Sequence, residues 1–127
     1  MRPILRLLFI LPLFFGCHAR PYNPLGSDHG IVNNEPFDRH AELIFTKHAR
    51  CRMDCRHISA REIHEVLNQG IINYSKSEPN SRPDPKYAVE GYTEEQQHLR
   101  IIVAPENSKL IIITCIELGV EWSCNCN

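Results

Sequence analysis

Residues 46–70 read TKHARCRMDCRHISAREIHEVLNQG, and at their centre Ser59-Ala60-Arg61-Glu62 forms a capping box. In such a box the serine hydroxyl accepts from the amide three residues on, and the glutamate reaches back to the serine amide. Ile58 before the box and Ile63 after it form a hydrophobic staple. Ile63, Val66 and Leu67 then recur at helical spacing, and Gly70 is placed to end the helix as a left-handed residue. Upstream, Thr46 is an N-cap for a first helix over residues 47–57. Ala49 and Met53 lie four apart on that helix and share one side, which can face a core.

Around this helix pair the sequence changes period. Leu43, Ile44 and Phe45 lead into the first helix as a short strand. After Gly70, residues 71–76 read as another short strand, and residues 77–85, with prolines at 79, 83 and 85, as a loop. Residues 86–92, 98–104 and 109–118 are strand candidates, the last two joined by the turn Pro105-Glu106-Asn107-Ser108. Residues 110–113 are apolar on both faces, which suits a strand inside the sheet. Helices followed by strands give an α+β fold. The expected architecture is two N-terminal helices packed on one face of a three- to four-stranded antiparallel sheet.

The start of the chain has a different character. Arg2 and Arg6 form a charged region, and residues 7–15 an apolar run that is shorter than the roughly 20 residues of a membrane span. Residues 1–16 therefore read as a signal peptide. Gly16-Cys17 follows, as in the lipobox of bacterial lipoproteins, where the cysteine becomes the lipidated first mature residue. Phe14 and Phe15 depart from that pattern, which usually has a small residue there. Residues 18–40 are rich in Pro, Gly and Asn, and read as a flexible tether. Residues 41–127 form the single domain. The expected location is the cell envelope, lipid-anchored and facing the periplasm or the exterior.

Four of the six cysteines fall into two close pairs, Cys51 with Cys55 and Cys124 with Cys126. On a helix the first pair shares one face, about 6 Å apart along the axis. In an extended tail the second pair also shares a face, about 6.7 Å apart. The matched spacings allow two disulfides between helix and tail, with connectivity left open, or a single zinc ion held by four thiolates. Outside the cytosol disulfides are the default. Cys115, in the apolar run 110–118, reads as a buried free thiol. Trp122 is placed to pack the tail onto the domain. Glu90 is a lone acid within a strand, and His57, His64 and His98 are scattered; none receives a role.

Thr46, His48, Ala49, Arg52, Met53, Arg56, Ile58 and Ser59 match the pattern T-x-H-A-x-x-R-M-x-x-R-x-I-S. With it the chain resembles a bacterial domain-of-unknown-function family, number 4258, over residues 45–118. A glycine usual before the isoleucine is His57 here. That family is similar to BrnT and RelE-like toxins, small α+β proteins of which several cleave RNA. The resemblance makes His48, Arg52 and Arg56 candidates for acting on a phosphodiester. His48 and Arg52 are one helical turn apart, guanidinium matches phosphate geometry, and imidazoles titrate near neutrality. The competing interpretation is a solvated basic helix face.

The net charge is −1, which argues neither for nor against a polyanionic partner. No P-loop, dinucleotide fingerprint, H-E-x-x-H or G-x-S-x-G occurs in the sequence. The expectation is a non-enzymatic binding or interaction module, with an unknown protein or anionic ligand as partner and no cofactor. The alternatives are a toxin-derived ribonuclease and a zinc-binding domain. An exported chain meets little RNA, so RNA is not the expected partner.

Overall fold

The structure is a computed structural model that describes residues 34–127. The leader and Cys17 lie outside the described residues. The elements are β1 (Glu42–Phe45), α1 (Lys47–Arg56), α2 (Ala60–Gln69), β2 (Ile71–Ile72), β3 (Tyr87–Tyr92), β4 (His98–Glu106) and β5 (Lys109–Glu117). The strands form one five-stranded sheet in the order β1-β5-β4-β3-β2. Two helices against a sheet make the α+β fold that the sequence indicates.

The sheet is larger than expected, and mixed. β1 pairs in parallel with β5, with Leu43 opposite Leu110 and Phe45 opposite Ile112. The Thr46 amide extends the contact by donating to the Ile112 carbonyl. This pairing satisfies the edge of β5 that an antiparallel sheet of β3 to β5 would leave open. At the other end, β2 is only two residues long. The chain turns there because the Asn73 side chain accepts from the Ser75 amide and opens a short 3₁₀ turn over Tyr74–Lys76.

Both helices are capped as their sequences require. The Thr46 side chain accepts from the Ala49 amide, and the complete capping box joins Ser59 and Glu62. Their C-termini differ from expectation. His57, not Gly70, takes the left-handed conformation, with φ 54° and ψ 43°. It does so at the position where the pattern usually has glycine. Gly70 is extended, and its lack of a side chain serves close approach instead. A Cβ at Gly70 would lie 2.4 Å from the Val66 carbonyl oxygen and 2.7 Å from that of Glu90. A Cβ at Gly91 would lie 3.1 Å from the Gly70 Cα. The two glycines thus let β3 pass directly against the end of α2.

The core lies between helices and sheet. Ile63, Val66 and Leu67 of α2 meet Val89, Leu99, Ile101, Val103, Leu110 and Ile112, all completely buried. Each such side chain contributes about 1.5–3 kcal/mol on leaving water. Residues before the expected boundary at Ala41 join this unit. Phe37 is buried with its ring 5.5 Å from that of Tyr87. Arg39 Nη1 donates to the carbonyls of Leu67 and Gly70 at 2.6 and 2.9 Å. A cation there satisfies the free carbonyls at the end of α2.

Candidate functional site

Two regions present chemistry at the surface, one at α1 and one at the β2 edge. α1 has little apolar surface of its own, and Ala49 is its sole buried residue. It is held instead by two disulfides, Cys51–Cys126 and Cys55–Cys124, with Cα separations of 5.8 and 5.9 Å. The tail therefore runs antiparallel to the helix. Trp122 joins the same clamp. Its indole N–H donates to a Glu117 carboxylate oxygen at 2.7 Å, and its ring meets that of His57 edge-on at 5.7 Å. Cys115 is completely buried and unpaired. Burial pushes its thiol up to about 11, against the opposing pull of the Arg56 and Arg52 charges.

The three basic residues of α1 do not share one environment. Arg56 donates through Nη1 to the Cys115 carbonyl, which ties α1 to β5. Arg52 Nε donates to His48 Nε2 at 3.3 Å on the outer side of the helix. Only His48 and Arg52 thus stand together as the spacing suggested; Arg56 is engaged with the sheet. With the four paired sulfurs joined as disulfides, no thiolate quartet is present. Among the described residues no group of three or more His, Cys, Asp or Glu side chains is placed to hold a metal ion.

The second region is an open groove of about 680 Å³ beside β2. Its lining includes Ile71, Asn73, Tyr74, Glu90, Tyr92 and His98. Glu90 and Tyr92 alternate along β3 with Val89, which faces the core, so they point away from the helices. Across the β3–β4 hairpin, Glu90 pairs with Arg100 and Tyr92 with His98. Tyr92 and His98 stack, ring centroids 4.3 Å apart and planes 11° from parallel. Glu90 Oε1 accepts from Arg100 Nε at 2.5 Å and from Asn73 Nδ2 at 3.1 Å. Burial alone would raise the Glu90 pKa, but the hydrogen bonds from Arg100 and Asn73 outweigh it and hold the carboxyl below its usual 4.5. Ile71, Tyr74 and Tyr92 are 78, 59 and 60 % exposed, and account for three of the four large apolar side chains so exposed among the described residues. Isolated exposed apolar residues are ordinary on a protein surface, and these three lie together along one groove.

This groove is not legible in the sequence, because its residues are dispersed over positions 69–98. One signal was present. Glu90 and Arg100, like Tyr92 and His98, lie symmetrically about the turn that joins their strands. Of the remaining histidines, His64 is exposed on α2 and His57 belongs to the tail clamp.

A family profile described as a domain of unknown function (DUF4258) matches residues 45–117. No curated protein and no solved structure matches the chain.

Proposed function

The chain belongs to this family of unknown function, and from that starting point we propose that it is a non-enzymatic binding module held at the cell envelope. The observation that carries this is the groove at β2, where Ile71, Tyr74 and Tyr92 are gathered at the surface beside a fixed carboxylate. A small domain gains nothing for its own stability by leaving such side chains in water. The two disulfides suit an oxidising compartment, as does the signal-like leader ahead of Cys17. Lipid on Cys17 would tether the domain to the membrane.

The location is tested in cells. The wild-type chain should take up radioactive palmitate and sediment with membranes, whereas Cys17→Ser should do neither. Equal labelling and sedimentation of the two would remove the lipid anchor.

A second interpretation, a toxin-derived ribonuclease of the BrnT or RelE kind, draws support from the His48–Arg52 contact on the outside of α1. The engagement of Arg56 with the Cys115 carbonyl weighs against it. Cleavage of RNA by the purified oxidised protein, lost in His48→Ala, would put this interpretation first.

A further inference from the structure

We propose that the groove beside β2 binds a neutral saccharide, with Tyr92 as the stacking platform and Glu90 as the hydroxyl acceptor. The proposal rests on the binding-module function and names its ligand class. The groove is about 680 Å³, within the range of about 300–1,000 Å³ typical of small-ligand sites. Its chemistry is then decisive.

The first consideration is charge. An anion entering the groove would meet the Glu90 carboxylate. A cation would find that carboxylate already matched by the Arg100 guanidinium at 2.5 Å. The pair leaves no net charge to attract either, which selects for a neutral ligand. The second is hydrogen bonding. Arg100 and Asn73 both donate to Oε1 of Glu90, and Oε2 accepts from no described residue. A hydroxyl group can donate to that oxygen and still accept from a neighbouring N–H. A sugar carries several hydroxyls of this kind.

The third consideration is shape. Tyr92 is 60 % exposed, yet its ring is fixed by the parallel stack on His98. A fixed flat ring costs little entropy to use and fits the flat C–H face of a pyranose. Tyr74 and Ile71 extend the apolar wall. The competing occupant is a peptide adding to the sheet edge. β2 has only two residues, too few to template a strand ladder.

The test is amide-resolved NMR on the oxidised full chain. The probes are neutral di- to tetrasaccharides and their sulfated and aminated counterparts at millimolar concentration. A neutral saccharide should perturb the amides of Ile71, Gly91 and Tyr92. Tyr92→Ala should weaken binding about tenfold, and Tyr92→Phe much less. Tyr92 is exposed, and an unchanged thermal midpoint of the variants will show that the fold is kept. Glu90→Gln leaves Arg100 unmatched, so it should shift preference toward the sulfated probe. Wild-type preference for a charged probe would overturn the proposal, as would shifts elsewhere on the domain or no shift with any saccharide. A peptide that perturbs the groove amides, when no saccharide does, removes the ligand class and leaves the binding module standing. Groove amides that neither the saccharides nor a panel of peptides perturb would remove the binding module itself.

Discussion

α1 and α2 have the same length and lie on the same sheet, but they are held by different means. α2 buries Ile63, Val66 and Leu67 along one stripe, and its attachment is apolar. α1 carries His, Arg, Lys and Asp around most of its surface and buries only Ala49. Its attachment is covalent, through two disulfides to the tail, with Arg56 bonded to the sheet. A helix whose surface is given over to charge cannot be kept in place by the hydrophobic effect, and the cysteines supply the constraint instead. The groove lies at the end of α2, on the side that needs no covalent support.

The comparison breaks most readily at the disulfides. Replacing Cys51 and Cys55 by serine should lower unfolding free energy by about 4 kcal/mol or more, since the first link closes a long loop and the second adds less. Denaturant titration measures the loss, and hydrogen exchange should show α1 opening well before α2. Equal protection of the two helices in that variant would mean that α1 is held without its clamp. The complementary change is Leu67→Ala, which removes a completely buried side chain from the stripe. With the disulfides intact it should cost about 3 kcal/mol, and a loss below 1 kcal/mol would contradict the apolar attachment of α2.

A smaller effect is expected at the start of α2. Ser59→Ala removes the acceptor for the Glu62 amide and the hydroxyl's own bond to the Glu62 carboxylate, while the residue 59 amide still donates to that carboxylate. It should cost about 1 kcal/mol, measured as a shift in the denaturation midpoint. The smallest effect concerns Glu90. Its carboxyl is held below 4.5 in the folded protein, so its contribution is complete above that pH and is lost as pH falls through the folded value. Glu90→Gln should therefore flatten the decline in stability below pH 4.5. An acid limb identical to wild type would show that the Arg100 contact has no weight in folding.

Legibility followed the range over which each signal acts. The capping box and the α2 stripe are local, and they stand as the sequence indicates; the hairpin is local too, but its turn is confined to Asn107-Ser108, because Pro105 and Glu106 pair with β5. The cysteine spacings in helix and tail led to their joining because each pair lies within one element. β1 is legible as a strand but its partner is not, since parallel pairing of Leu43 with Leu110 leaves no local mark. Gly70 misled for a related reason. A glycine after a helix suggests a left-handed turn, whereas here the need comes from the close approach of the Val66 carbonyl and of Glu90 on a distant strand. The groove was illegible on the same grounds, with Ile71 and Tyr92 brought together only by the β2–β3 and β3–β4 registers.

The parallel contact between β1 and β5 has a consequence for the order of assembly. A chain emerging from its N-terminal end presents β1 and α1 long before residues 109–117 exist for β1 to join. α1 must wait longer still, because Cys51 finds its partner only when residue 126 has emerged. The α2–β4 portion can meanwhile collapse on nearby contacts, as short-range pairings form first. Closure of the two sulfur bridges thus follows the formation of the sheet that they brace. A chain shortened before residue 124 would carry Cys51 and Cys55 as open thiols, readable by any reagent that traps them.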